Sequence, residues 1–222
     1  ELQGRDAPAP KMLIDLQDLF RFYSHPQRYF VEQQLQLRLA QADSIPVPSE
    51  SFELDNLERF FVNQEWLNRH LSDENSDVDQ AFLKRLRAEG RWPHGVLGDQ
   101  LFESMSEELS GFVSKLQTLD LGDKLDDFAV DYQIGDYRLR GSLNCVYQNG
   151  NLLYRYARCK AKDQLHAWLN HLIYSNAPEQ SLTTTSFLHM DGSWQFGATD
   201  APERNLLALL DAYRQAQTGL SP

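Results

Sequence analysis

Apolar residues recur at helical spacing through the first half of the chain. Leu16, Leu19 and Tyr23 share one face of such a helix, and Pro26 occupies a position typical of the first turn of the next one. The prolines further on predict a loop at Ile45–Glu50. The same spacing predicts five helices, which run from Asp15 to Phe22, from Pro26 through Leu39, from Asp55 to Leu71, from Asp77 to Glu89 and from Leu97 to Leu119.

The hydrophobic pattern changes in the second half of the chain. Three segments rich in Val, Tyr, Leu and Phe follow one another at Asp127–Ile134, Tyr137–Tyr147 and Asn151–Lys160. Turn residues separate them, and the pair Asn149–Gly150 is among the strongest signals for a tight hairpin. The sequence therefore predicts a three-stranded meander.

Helical periodicity then returns and alternates with short strands. We predict a helix from Lys162 to Tyr174, strands at Leu182–His189 and Trp194–Phe196, and a closing helix from Ala201 to Gln217. This order of elements predicts an α/β (α+β) domain with a mixed central sheet and flanking helices, preceded by a helical region.

Length and composition fit one domain with one sizeable core. Of the 222 residues, 41% are hydrophobic and 11% are aromatic. No run of about 18 apolar residues predicts a membrane span, the first residues lack the apolar stretch of a signal peptide, and two cysteines are too few for a disulfide scaffold. We expect a cytoplasmic protein without membrane contact, with a linker at residues 1–11, one domain at 12–217 and the start of a further segment at 218–222.

Charge is distributed unevenly along the chain. The net charge of −11 argues against strong DNA binding by this chain alone, because neutralisation of phosphates supplies most non-specific affinity. The segment from Tyr137 to Lys162 nevertheless contains no acidic residue and contributes +6, so the rest of the chain carries −17. Its six cations are Arg138, Arg140, Arg155, Arg158, Lys160 and Lys162. The segment is either a solvated basic hairpin or a surface for DNA phosphates or partner carboxylates.

Four stretches, in this order, carry a family resemblance. The first is the apolar helix and turn of Leu16–Leu37, and the second is the helix start GVLGDQLFE at Gly95–Glu103. The third is the motif GSLN at Gly141–Asn144, and the fourth is the strand that follows Asn149–Gly150. Together they resemble the PD-(D/E)XK nuclease domain of RecB- and AddB-type helicase-nucleases. The resemblance implies a restriction-endonuclease-like fold over residues 12–217.

The chain departs from this family at the positions of its functional residues. Asp99 stands where the family has a histidine, and Asn144 stands where it has a metal-binding aspartate. The turn Ser24–Pro26 lies where some members have a cysteine that holds an iron-sulfur cluster. The resemblance therefore implies no such cluster here.

The strand after the hairpin turn departs in the same way. Counted from the turn, Tyr156 and Arg158 fall on the positions of the family's second acid and its lysine. A register shifted by one residue places Arg155 and Ala157 there instead. Neither register restores an acid, because no Asp or Glu occurs between Gly141 and Lys162.

These substitutions bear on the chemistry that the family performs. Its nucleases hold Mg²⁺ with carboxylates from adjacent strands and use a lysine to activate water. Asn144 and Tyr156 supply no anionic charge for the metal, and Arg158 keeps its proton near neutral pH. The resemblance therefore implies a domain that has no catalytic residue, no metal site and no cofactor.

The degenerate form of this domain in the RecC (gamma-subunit) family resembles the chain over nearly all of residues 12–217. The segments that carry this likeness include Phe52–Phe60, Arg87–Gly90 and Leu165–Tyr174. The resemblance implies a non-catalytic structural and DNA-guiding domain in a RecBCD-type helicase-nuclease, an ATP-dependent complex that processes double-strand DNA ends for recombinational repair. It also implies RecB-type and RecD-type subunits, duplex ends and separated strands as partners.

Two other functions remain open at this point. One is a residually active Mg²⁺-dependent exonuclease whose ligands are different residues, for example Asp99, Glu103 and Asp163. The other is a module that docks on protein partners and does not touch DNA. Cleavage of single-stranded DNA would indicate the first, and the absence of any DNA contact near the hairpin would indicate the second.

Overall fold

The structure is a computed structural model that describes residues 12–34, 55–72, 78–178 and 184–218. The helices in these ranges are α1 (Leu16–Ser24), α2 (Pro26–Gln34), α3 (Asn56–Ser72), α4 (Val78–Ala88), α5 (Gly95–Gln117), α6 (Ala161–Ser175) and α7 (Pro202–Thr218). The strands are β1 (Met12–Asp15), β2 (Phe128–Ile134), β3 (Tyr137–Leu143), β4 (Val146–Tyr147), β5 (Gly150–Arg155), β6 (Thr185–His189) and β7 (Gly192–Phe196). None of these helices is long and apolar enough to cross a membrane.

The first sheet has the strand order β1-β3-β2. β1 runs parallel to β3, with Met12 beside Tyr137, and β2 lies antiparallel on the other side of β3. Successive side chains of a strand point to opposite faces of the sheet. Ile14 and Leu139 are buried on one face, whereas Arg138 lies on the exposed face.

The second sheet has the strand order β4-β5-β6-β7. β5 and β6 pair in parallel, and α6 lies in the connection between them. All five residues of β6 are buried, as expected for a central strand, whereas most of β7 is exposed at the edge. This arrangement brings the end of β5 close to the start of α6.

The predicted α/β (α+β) class is confirmed, because seven helices accompany two mixed sheets in the described residues. The predicted three-stranded meander is wrong. The strand expected at Tyr137–Tyr147 stops at Leu143, the chain bends at Asn144, and Val146 then pairs with Asn151 in the other sheet. The bend places the two halves of that segment in different sheets.

Helix ends follow local capping chemistry. The Asp15 carboxylate accepts a hydrogen bond of 2.8 Å from the backbone N–H of Gln17, which satisfies a free donor at the start of α1. α5 begins at Gly95, two residues before the predicted start, where φ of 77° favours glycine. The predicted linker at residues 1–11, the loop at Ile45–Glu50, the extension of α2 to Leu39 and the segment 219–222 lie outside the described residues.

Two clusters of buried apolar side chains hold the elements together. The first joins the first sheet to α1, α6 and α7, and its fully buried members include Leu19, Leu139, Leu169 and Leu210. The second joins α3, α4 and α5 to β5 and β6, and its fully buried members include Val62, Leu67, Phe82, Leu86 and Leu109. Each fully buried leucine contributes about 2 kcal/mol through removal of its apolar surface from water.

Candidate functional site

A cavity of about 570 Å³ opens where α1, α3, β5 and α6 approach one another. Its lining combines cations, amides and half-buried aromatic rings from distant parts of the chain. The lining residues are Ser24, Asn68, Leu71, Lys124, Asn144, Cys145, Tyr147, Leu152, Leu153, Tyr154, Arg155, Lys162, Asp163, His166 and Phe187. Two of the sequence-predicted candidate contacts, Arg155 and Lys162, and one degenerate position, Asn144, therefore meet here.

Asn144 lies at the bend that follows β3, and its side chain is exposed to the cavity. The next residue, Cys145, is buried, and its Sγ donates weakly to Oδ1 of Asn170 at 3.9 Å. Burial raises the pKa of the Cys145 thiol to about 11. The thiol therefore stays neutral near pH 7 and supplies no anionic ligand to the cavity.

Arg155 and Asp163 form a salt bridge between the last residue of β5 and the first turn of α6. Asp163 has a side chain only 10% exposed, and its Oδ2 also accepts the backbone N–H of Lys160 at 3.0 Å. The Arg155 guanidinium lies 5.3 Å from the ring centroid of Phe60, within the range of a cation–π contact. These contacts fix both charges, so Asp163 serves as a helix cap and as a partner of Arg155.

Two lysines give the cavity its net charge. Lys162 donates from Nζ to Nε2 of His25 at 3.1 Å, and Lys124 is exposed at the rim. Among the described residues, neither lysine has an acidic side chain within salt-bridge distance. Burial lowers the pKa of His166, although Asp163 opposes that shift, so this imidazole is neutral near pH 7. In the described part of the lining, three cations thus face one carboxylate, which gives a net charge of +2.

Tyr156 and Arg158 lie away from this cavity. Tyr156 points to the opposite side of the strand end, where its ring meets Phe112 edge-on at 5.3 Å and its hydroxyl donates to Glu108 at 3.4 Å. Arg158 is exposed on the segment after β5, which ends at Arg155 and does not reach Lys160 as predicted. β5 ends at Arg155 and the chain bends at Tyr156, so Arg155 lines the cavity and Tyr156 does not.

The remaining predicted cations lie on other surfaces. Arg138 and Arg140 project from the exposed face of β3. Arg138 donates to Asp131 at 2.7 Å, and the pKa of Asp131 is lowered chiefly by this hydrogen bond, with a further attraction from Arg140. Lys160 is exposed at the N-terminus of α6. The basic segment is therefore divided among the first sheet, the cavity and the turn after β5.

Asp99 lies outside the cavity, on α5. It accepts a hydrogen bond of 2.7 Å from Arg87 of α4. Asp163 is paired with Arg155, so the alternative ligand set of Asp99, Glu103 and Asp163 is not brought together. Across the described part of the chain, no group of three His, Cys, Asp or Glu side chains is placed to hold a metal ion.

Several residues of the cavity had no signal in the sequence. Ser24, Asn68 and Lys124 come from a helix end, a mid-helix position and a loop that are far apart in the chain. Each is an ordinary surface residue in its own segment. Only the packing of α1 against the first sheet and α6, and of α3 against the second sheet, brings them together.

A family model and curated relatives match most of the chain, and both carry the name RecC. A family model described as the RecC C-terminal domain matches residues 12–222. The RecBCD enzyme subunit RecC of Escherichia coli (strain K12) is 28% identical over 208 residues, which are 92% of this chain and 18% of that protein. The Haemophilus influenzae subunit is 23% identical over 178 residues, which are 76% of this chain and 15% of that protein. The chain thus spans less than a fifth of these relatives' length.

One solved structure, the crystal structure of SSO0001, overlaps 72% of this chain and 85% of its own chain. The identity is 11% and the TM-score is 0.31, so the likeness is too low to bear on function.

Proposed function

The chain belongs to the RecC C-terminal domain family, and we propose that it is a non-catalytic, DNA-guiding domain of a RecC-type subunit in a RecBCD-type helicase-nuclease. The parent complex would process double-strand DNA ends for recombinational repair. In such a complex, the domain forms part of the surface along which the DNA passes, and its cations orient the strand. Cleavage and ATP-driven movement belong to other parts of the complex.

One observation carries the non-catalytic part of the proposal. Among the residues that the structure describes, Asp163 is the single carboxylate that lines the cavity, and Arg155 already neutralises it. Mg²⁺ binds through one or two carboxylates plus water and phosphate oxygens, and it needs the negative charge that those carboxylates supply. The amide oxygen of Asn144 is neutral, and the lysines beside it repel a divalent cation. Such a cavity favours an anion over a metal ion.

The charge distribution fits a domain that orients DNA held by other subunits better than a domain that binds DNA tightly by itself. A chain with a net charge of −11 gains little non-specific affinity for DNA. Arg158 and Lys160 are exposed on one turn, however, and have no salt-bridge partner among the described residues. Locally placed cations can orient a strand that other subunits hold, because phosphate contacts fix position without reading sequence.

RecB-type and RecD-type subunits are the proposed protein partners. Exposed apolar side chains on α3 and α5 favour contacts with protein, since large exposed apolar groups mark interaction surfaces when they cluster. They are Leu57 and Phe61 on α3 and Val96, Leu97 and Leu101 on α5. These residues also support the second candidate function, a docking module that does not touch DNA.

A cleavage assay tests the non-catalytic proposal. The full RecC-type chain, purified without its partners, is incubated with labelled single-stranded DNA and Mg²⁺ or Mn²⁺. We expect no metal-dependent cleavage above the metal-free control. Cleavage that Asp99→Ala abolishes would instead establish the residual exonuclease and overturn the proposal.

Crosslinking separates DNA guiding from pure docking. A photoreactive group is attached through cysteine at position 158 in the assembled complex, and Lys115→Cys on the exposed side of α5 serves as the control site. DNA guiding predicts a crosslink to bound DNA from position 158 and little from position 115. Equal, background-level crosslinking from both sites would favour the docking module.

A further inference from the structure

We propose that the cavity binds one backbone phosphate of a single DNA strand, and that this strand continues past Lys162 and His25 into the small cleft beside the α1–α2 turn. This inference rests on the proposed DNA-guiding function and assigns the contact to particular residues. Lys124 and Lys162 contact the phosphate directly, and the Arg155–Asp163 pair beside them is mutually neutralised.

The first step is electrostatic. The two lysines have no acidic partner in the described part of the chain, so their charges are available to an anion. They reach the cavity from a loop before β2 and from the first turn of α6, on different sides. Ammonium groups on flexible stems bind phosphate as point charges from several directions. The described lining carries a net charge of +2, although the chain as a whole has a net charge of −11. This cavity is therefore an electrostatically favourable site for an anion.

The second step is continuity with a neighbouring cleft of about 240 Å³. Ser24 lines both spaces, and the Lys162–His25 hydrogen bond of 3.1 Å bridges them. The cleft is lined by Arg21, Ser24, His25, Arg28, Tyr29 and Glu32. Arg21 and Arg28 therefore extend the positively charged surface from the cavity toward the α1–α2 turn.

The arginines of the cleft are held loosely. Arg21 pairs with Asp18 at 3.2 Å on the surface of α1, and Arg28 pairs with Glu32 at 2.6 Å on the surface of α2. Exposed pairs of this kind contribute about 0–1 kcal/mol, so a phosphate can replace the carboxylate at little cost. The two spaces together offer successive anion positions, which suits a polymer better than a single small ion.

The third step concerns the form of the nucleic acid. Half-buried rings of Tyr147 and Tyr154 line the cavity next to its cations. Aromatic side chains stack on the faces of unpaired bases, and grooves that combine them with cations are typical of single-strand binding. A duplex keeps its bases stacked inside and cannot use these rings. The lining therefore fits one separated strand.

Salt dependence of binding in the assembled complex tests the proposal. The double variant Lys124→Gln, Lys162→Gln keeps the side-chain stems and removes two charges, and Lys84→Gln, Lys115→Gln on α4 and α5 is the matched control. Binding of a forked DNA with a single-stranded tail is measured over a range of salt concentrations. Each lost phosphate contact on a single strand lowers the slope of log Kobs against log salt by about 0.7. We expect a decrease of about 0.7 for the cavity variant, because its two lysines contact the same phosphate, and none for the control.

The outcomes separate this inference from the proposed function. A third variant, Arg158→Glu, Lys160→Glu, changes only the exposed turn after β5. If that variant weakens binding and the cavity variant keeps the parent slope, the cavity inference is wrong and the guiding function stands. If neither variant changes binding, both are wrong.

A free phosphate is the competing source of the same chemistry. Inorganic phosphate and a mononucleotide are therefore added separately as competitors against the single-stranded tail. We expect neither to displace the tail at concentrations where a short oligonucleotide does. Displacement by either small anion as effectively as by the oligonucleotide would mean that the site serves a small ligand, and would overturn the proposal.

Discussion

Arg155 and Asp163 are joined by a salt bridge that links the end of β5 to the first turn of α6 and fixes the only negative charge that the described residues contribute to the cavity lining. The same carboxylate caps α6 through the N–H of Lys160. It therefore has two structural roles, and both are compatible with a surface that faces phosphate. Removal of the Asp163 charge should therefore have opposite effects on stability and on DNA binding.

Asp163→Asn is expected to lower stability and raise DNA affinity. The amide can still cap the helix but leaves Arg155 without its charged partner, at a cost of about 1–2 kcal/mol in the free energy of unfolding. Removal of a negative charge from the lining makes the cavity more positive, so affinity for single-stranded DNA should rise several-fold at low salt. Urea unfolding of the chain and DNA binding by the assembled complex measure the two effects.

The control for this prediction is Asp18→Asn. Asp18 pairs with Arg21 on the exposed surface of α1, and its loss should change stability by about 0.5 kcal/mol or less. A decrease in DNA affinity for Asp163→Asn would contradict the assigned roles, because it would mean that the carboxylate itself assists binding.

The half-buried His166 and the buried His171 predict a loss of stability in mild acid. Burial lowers the pKa of His166 and of His171; the charge of Asp163 opposes the first shift, and a backbone hydrogen bond with Gly197 opposes the second. Below about pH 6.5 the unfolded chain binds protons that the folded chain does not, so stability falls as the pH decreases. The decrease continues until the pH passes the lowered pKa values of the folded state.

The measurement is urea unfolding at pH 7.5, 6.5 and 5.5. Each histidine that stays neutral only in the folded state contributes at most about 1.4 kcal/mol per pH unit over this interval. His166→Gln is expected to make the dependence on pH shallower while His171 remains. A parent chain that gains stability between pH 6.5 and 5.5 would show that these side chains are not kept neutral by burial.

The unpredicted strand β1 should be essential to the core. Ile14 is 1% exposed and packs in the first hydrophobic cluster, whereas its neighbour Leu13 is 60% exposed on the other face. Ile14→Ala should cost about 2–5 kcal/mol, and Leu13→Ala should cost about 0.5 kcal/mol or less. Equal losses in thermal or urea unfolding would mean that β1 does not hold this position beside β3.

Local patterns predicted the helices well and the sheets poorly. Amphipathic spacing and caps such as Asp15 lie within one segment, so the sequence contains all the information that places a helix. β1 has four residues, and its pairing of Met12 with Tyr137 joins distant parts of the chain. The bend at Asn144 likewise depends on which sheet each half of the segment can join. No periodicity within the segment encodes that choice.

The residues of the candidate site could likewise be predicted only in part from the sequence. The family resemblance pointed to Asn144 and left two registers open for the next strand. The structure places Arg155 in the cavity and turns Tyr156 toward Phe112, because the strand ends at Arg155 and the chain bends at the next residue. Lys124 and Asn68 come from other elements, so only the tertiary fold identifies them. The basic segment was correct as a charge pattern, but it does not form one surface.

Charge reversal in the intact complex tests the guiding role most directly. The triple variant Arg155→Glu, Arg158→Glu, Lys160→Glu is compared with the milder Arg158→Glu, Lys160→Glu, whose two side chains are exposed and cannot disturb the core. The control reverses three exposed cations on other helices, Lys84, Lys115 and Arg204. We predict that both test variants weaken DNA binding and slow unwinding, the triple variant more strongly, while the control matches the parent. Binding and unwinding that stay at the parent level in both test variants would contradict a DNA-guiding domain.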